Sequence, residues 1–409
     1  MGAAEGYPAD VFDGADEERF ATSKKARREL GWKVLAKALA PVKLAAFPDK
    51  TIPRFRTWLG GDEVERLFAK MYGELGPERR EAKAAPTEQE LASLWEWNAS
   101  SLGPSSEADF FARMKQVEEG DATHVDGLGG NARNAYSPGF VQHVLGDYGA
   151  MAACDLDALS FESAPPSASN FASCFSREMP ADAAVIKTSW RRNDAFVPDG
   201  LPVIDTSAAA LATADTWKPS AAPKVKAGPR EAYSVTMSDD AGYSLVGLHV
   251  MTKELRHWVW VTVWWSPDAD GDFGQDRPEE IKQLGAPWDH YKMCVVTDFD
   301  EKDPDPRGGF EGSLGDALAA VHGKHTWCSN PFLERGAHNA QTNCIGCHQH
   351  AGDAKVLDSI LSFPEAGRAK TRESFPTDYS WAFMTPPSPD TKDRFLEVVK
   401  RRMKLYANE

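Results

Sequence analysis

The sharpest hydrophobic pattern lies in the middle of the chain. Residues 257–265 read HWVWVTVWW. On an extended strand, Trp258, Trp260, Thr262 and Trp264 share one face, and His257, Val259, Val261, Val263 and Trp265 share the other. Both faces are apolar, which predicts a central strand buried on both sides. The Trp face has two readings: core packing, or a wall against a flat prosthetic group. Three further runs rich in β-branched and aromatic residues predict strands at 184–190 (AVIKTSW), 243–251 (YSLVGLHVM) and 291–297 (YKMCVVT).

Elsewhere the period is helical. Residues 21–45 are rich in Ala, Lys, Leu and Arg, good helix formers, until Pro41 interrupts them. Val64, Leu67, Phe68 and Met71 follow at helical spacing. Thr87 and Glu90 form a capping box ahead of Leu91, Leu94 and Trp95. Segments 108–119 and 137–154 are further helix candidates, and the pattern returns at 313–322, 344–361 and 390–406. A Ser/Pro/Ala-rich stretch at 160–173 marks a boundary, and 219–223 a second loop. The Gly-rich segment 126–130 matches neither nucleotide-binding pattern and reads as a turn. Together these predict an α+β chain with a helical N-terminal region (1–157), an antiparallel β-rich region (174–300) and a small α-helical domain at the C-terminus (312–409).

Charge and hydropathy narrow the partners. The 409 residues carry 61 acidic and 46 basic side chains, a formal net charge of −15. Such a chain is ill-suited to displacing counterions from nucleic acid or docking on anionic lipid. The longest apolar run, 258–265, is far below the ~20 residues of a membrane span, so no transmembrane segment is expected.

One motif carries chemistry. Residues 343–348 read NCIGCH, and a C-x-x-C-H run is the attachment signature of c-type haem. On one helical turn, Cys344 and Cys347 can form thioethers to the two vinyl groups of one porphyrin. His348 then points its imidazole at the iron, and Gly346 leaves room for the porphyrin edge. Zinc would need two more ligands, for which Cys328 and His338 are the near candidates. A redox dithiol would sit at a helix start after a strand, and no strand is predicted there.

At these residues the sequence resembles c-type cytochromes. The wider stretch 328–352 (CSNPFLERGAHNAQTNCIGCHQHAG) is similar to the haem region of large, exported, single-haem cytochrome c proteins of poorly defined role. Those proteins also carry a Trp-x-Trp-x-Thr strand upstream, as residues 258–262 do here. The resemblance implies one covalent haem c, a cytochrome c-like C-terminal domain and His348 as proximal iron ligand. It implies a distal methionine in a Pro-containing loop downstream, matched by Met384 in AFMTPP at 382–387. Met403, His322, His325 and His338 are alternatives, as is an open sixth position; His350 is too near His348 to reach the opposite haem face.

Four cysteines remain. In an exported protein they could pair as Cys154–Cys174 and Cys294–Cys328, each closing a modest loop, or stay as buried thiols. Asp268, Asp270, Asp272, Asp276 and Glu279 fall at positions 1, 3, 5, 9 and 12 of a calcium-type loop. Phe273 stands where such loops need Gly, so a solvated acidic turn is the competing reading. Lys187, Arg191 and Arg192 bracket a strand end and could meet haem propionates.

The expected function is one-electron transfer with a redox partner protein, through iron held by His348 and Met384. The alternative is a haem peroxidase or oxidase, or a small-ligand sensor, with an open distal site. The large body ahead of the haem motif argues for it. A binding module with a structural haem is a third class. Haem attachment of this kind implies a periplasmic or otherwise exported protein. Residues 1–6 show no basic stretch followed by an apolar one, so a signal peptide or lipoprotein leader is expected to have been removed.

Overall fold

The structure, a computed structural model, describes residues 5–44, 47–60, 132–146, 179–192, 200–236, 242–297, 327–334, 339–341 and 343–348. It is a mixed helix-and-sheet protein whose described sheets are all antiparallel, an α+β arrangement.

The chain opens with two helices, α1 (Gly14–Thr22) and α2 (Lys24–Leu39). Asp13 caps α1 by accepting from the amides of Ala15 and Asp16, and Ser23 caps α2 by accepting from Ala26. The single long helix expected from 21 onward is therefore divided at Ser23. It ends before Pro41, as a residue preceding proline disfavours the helical region. Arg27, Leu30, Gly31, Val34, Leu35 and Ala38 are all buried, spaced to form one stripe.

Strands follow inside the region expected to be helical. β1 (Pro41–Leu44) pairs with β2 (Phe47–Pro53), and β3 (Leu59–Gly60) and β4 (Ala132–Tyr136) join the main sheet. Residues 1–157 are thus not wholly helical: the sequence ARNAY of β4 has no β-branched residue, and pairing with its neighbour overrides weak local propensity. Helix α3 (Pro138–Gly146) falls within the expected 137–154 segment.

The four strands read from sequence are present as β5 (Ala184–Arg192), β9 (Gly242–Thr252), β10 (Val259–Trp265) and β11 (Tyr291–Val296). Between them lie the short β6 (Leu201–Pro202) and β7 (Lys224–Val225), which pair with each other, and β8 (Ser234–Thr236), which pairs with β9. The seven-stranded sheet runs β11-β10-β9-β5-β4-β3, with β8 beside the start of β9. All seven residues of β10 are buried, so it is central, as its pattern predicts. Trp258 is the exception to that reading. It lies in the β9–β10 turn with φ +66° and its amide donates to Leu255 O, yet its side chain is fully buried.

Antiparallel partners share a face, and this divides the sheet. One face carries Val259, Val261 and Val263 with Leu248 and Val250 of β9 and Met293 and Val295 of β11. Helix α2 lies on it at Gly31, where an added Cβ would stand 2.8 Å from that of Val295. The opposite face carries Trp260, Thr262 and Trp264, flanked by Met251, His249 and Gly247 on one side and Val296, Cys294 and Lys292 on the other. In the next strand the row continues through Val185, Lys187 and Ser189.

Candidate functional site

The tryptophan face is covered by residues 327–334. Gly247 permits the approach, since a Cβ there would meet Asn330 Oδ1 at 2.9 Å and Phe332 Cβ at 3.2 Å. Asn330, fully buried, is the anchor. Its Nδ2 donates to Thr262 Oγ1 at 2.7 Å and to Val263 O at 2.8 Å, while its Oδ1 accepts from the Phe332 amide at 2.9 Å. Two residues earlier, Cys328 is bonded to Cys294 of β11, which lies opposite Thr262. This is the pairing expected for those two cysteines; Cys154 and Cys174 lie outside the described residues.

A loop before β7 grips the segment from its other side. Trp217 Nε1 donates to Ser329 Oγ at 2.7 Å, the Trp217 amide to Asn339 Oδ1 at 2.8 Å and the Ala340 amide to Asp215 O at 3.0 Å. Within the segment, Trp327 Nε1 donates to Ala340 O and Ser329 Oγ to Asn339 O. These bonds satisfy polar groups that would be costly to bury alone.

This held segment leads to the C-x-x-C-H run. Cys344–His348 forms a helical turn, designated α6, after α4 (Ala208–Leu211) and α5 (Glu279–Gln283). Cys344 is buried and Ile345 fully so; Cys347 lies on the same turn. The imidazole of His348 is half-buried and packs against the indole of Trp260, with centroids 4.5 Å apart and planes at 52°. The Trp260 ring is itself fixed, because its Nε1 donates to His257 O at 2.8 Å. Met384 lies outside the described residues, as do Met403, His322, His325, His338 and His350.

A charged row stands on the same face. His249 Nε2 lies 3.4 Å from Glu334 Oε1, and Lys187 is the register partner of His249. Burial raises the Glu334 carboxyl, but the nearby His249 and Lys187 more than offset it and hold it below the usual carboxylate range. Of the three basic residues proposed for propionates, Lys187 is thus beside a carboxylate of the chain. Arg191 donates to Trp190 O, and Arg192 pairs with Tyr243 at the far end of the strand.

The acidic loop at 268–279 distributes its carboxylates among separate partners. Asp276 binds Arg28 and accepts from Trp32 Nε1, Asp270 pairs with Arg277, and Asp272 meets Lys292 at 3.1 Å and Thr206 at 2.6 Å. Glu279 begins α5. Among the described residues no three acidic, His or Cys side chains gather as a metal site. Phe273, at the position where a calcium loop needs Gly, takes φ +63° and sets its ring 5.3 Å from Trp264 and 5.4 Å from Trp327. The loop braces the covering segment against the sheet.

Three parts of this site were not legible beforehand: Asn330, Trp217 and the contact of Trp260 with His348. The alternating tryptophans were the available signal for the last. No family model matches the chain, and neither do any curated protein or solved structure. Among the described residues no helix is long and apolar enough to cross a membrane.

Proposed function

We propose that the chain is an exported c-type cytochrome. In this reading it holds one haem through Cys344 and Cys347, and His348 binds the iron. The observation that carries the reading is the Cys344–His348 helical turn, with Cys344 buried and the His348 imidazole lodged against Trp260. A C-x-x-C-H run on one helical turn has the residue types and the spacing that covalent attachment of one porphyrin requires. The donor set is that of a covalent haem, and an aromatic wall beside the imidazole suits a flat, apolar ligand.

A bound haem supplies one-electron cycling between ferric and ferrous iron. The chain's residues do the rest. The two cysteines fix the group in place, His348 donates a nitrogen to the iron, and the Trp260 face excludes water from the histidine's side. Met384 is the proposed second ligand, within the expected C-terminal haem domain, and a protein-ligated iron on both faces suits electron transfer with a partner protein. Calcium is not part of this proposal, as Asp270, Asp272 and Asp276 are paired with Arg277, Lys292 and Arg28. The Cys294–Cys328 bridge supports an oxidising, exported location.

The test is expression of the full chain with c-type haem maturation. Haem that survives denaturing electrophoresis in the wild type, and is lost from Cys344→Ala/Cys347→Ala, is the expected result. A ferric spectrum with the weak red band of methionine ligation, lost in Met384→Ala, would identify the second ligand. Ready binding of carbon monoxide by the ferrous wild type would refute the closed iron and favour an enzyme or sensor. A chain that acquires no covalent haem would refute the reading altogether.

A further inference from the structure

We propose that Trp260 is the positioning residue for the iron-binding imidazole. The proposal rests on the haem reading above and adds a role that the motif does not contain. A histidine at the end of a five-residue helical turn keeps freedom about both side-chain torsions. Its ring plane is set by whatever its imidazole touches. The Trp260 indole is in contact with it, 4.5 Å away centroid to centroid and tilted by 52°.

The indole is well suited to the task because it has no freedom of its own. Trp260 is only 3% exposed. Its strand is paired on both sides, with Met251 across from it in β9 and Val296 across from it in β11. Its Nε1–H is committed to His257 O, and the Trp258 ring stands 6.3 Å away with Lys253 Nζ over it. A rigid sheet thus passes its orientation to His348 through this ring contact. Groups that orient a metal-bound histidine alter the properties of the site by about 10- to 100-fold when removed. A ring that touches the imidazole also belongs to the histidine's side of the iron. The sheet is then the proximal wall, and Met251, although adjacent to Trp260, is not the second ligand.

The test compares haem-loaded wild type with Trp260→Leu, Trp260→Phe and Met251→Leu. Reduction potential and the ferric electron paramagnetic resonance spectrum are the readouts. Trp260→Leu is expected to shift the potential by ~60 mV, the one-electron equivalent of a tenfold change, and to broaden the ferric signal. Trp260→Phe, which keeps a ring, should lie closer to wild type, and Met251→Leu should keep the wild-type ligand set. A folded, loaded Trp260→Leu protein with wild-type potential and signal would overturn the proposal, as would loss of the second ligand in Met251→Leu.

Should Trp260→Leu fail to fold, the wild type decides. Nuclear Overhauser contacts between the His348 and Trp260 rings in the ferrous state support the assignment, and their absence overturns it. A wild type without covalent haem overturns the haem reading and this proposal together. A loaded wild type with insensitive variants overturns this proposal alone.

Discussion

The bridge between Cys294 and Cys328 should hold the covering segment on the sheet, and its removal has a calculable cost. The two cysteines are 34 residues apart. Closing a loop of that length removes chain entropy worth about 4 kcal/mol in the chain-entropy account. The three hydrogen bonds of Asn330 contribute about 1 kcal/mol each, so the bridge outweighs them. Without it, an open segment is no longer held beside β11, and reclosure must order it anew. The sensitive assay is amide hydrogen exchange at Phe332 and Ala340, whose N–H groups donate to Asn330 Oδ1 and Asp215 O. In Cys294→Ala/Cys328→Ala, a loss of about 4 kcal/mol corresponds to roughly thousandfold faster exchange through opening. Exchange at β10 amides such as Val261, buried in the sheet centre, should change far less. An acceleration below about tenfold at Phe332 and Ala340 would refute the reasoning, since Asn330 and Trp217 alone would then suffice to hold the segment.

Two further perturbations test the packing and the charges. Gly247→Ala should destabilise the protein by about 1–3 kcal/mol through overpacking, seen as a lowered chemical-denaturation midpoint, although Ala is otherwise the better strand residue. The cause is specific: the new Cβ would meet Asn330 Oδ1 and Phe332 Cβ. Acid should weaken the contact between α2 and the acidic loop. Burial raises the Asp276 carboxyl, but its bonds from Arg28 and Trp32 prevail and hold it below its ordinary value. A depressed carboxylate adds stability above its unfolded pKa and loses it as pH falls through the folded value. Arg28→Ala should therefore flatten the fall in the unfolding midpoint below about pH 4; an unchanged acid limb would refute the assignment.

The elements legible in the sequence are those whose own residues carry the signal. β5, β9, β10 and β11 are dense in Val, Trp and Tyr, and α2 stops where Pro41 demands it. The C-x-x-C-H motif is local by nature, and Cys294 and Cys328 lay near enough in sequence to suggest a loop. What escaped depends on partners distant in the chain. β4 is a strand because β5 offers it an edge, and β3 because β4 does, and neither Leu59-Gly60 nor ARNAY announces it. Trp258 was placed on the strand by its alternation, but the hairpin turn takes it into the left-handed region. The acidic loop matched a calcium spacing in one dimension. In space its carboxylates meet Arg28, Arg277 and Lys292, drawn from α2, the loop itself and β11.

The two faces of the sheet explain why so much chain precedes a short motif. The face under α2 is aliphatic at its centre and packs through Gly31, as a purely structural core would. Its opposite bears Thr262, His249, Lys187 and Lys292 among the tryptophans. Polar groups on a buried face lower stability unless each is matched, and here two of the partners come from the covering segment: Asn330 donates to Thr262, and Glu334 lies 3.4 Å from His249 Nε2. Such pairs fix register better than apolar contacts, which tolerate sliding. A segment sealed by matched polar pairs and a disulfide can present its last helical turn at one place on the sheet. That place is the indole of Trp260, and the residue presented there is His348. On the haem reading, the body is therefore the rigid seat of the iron's ligand, and the position of the imidazole is set by the strand order of a sheet whose central strand starts one residue before that indole.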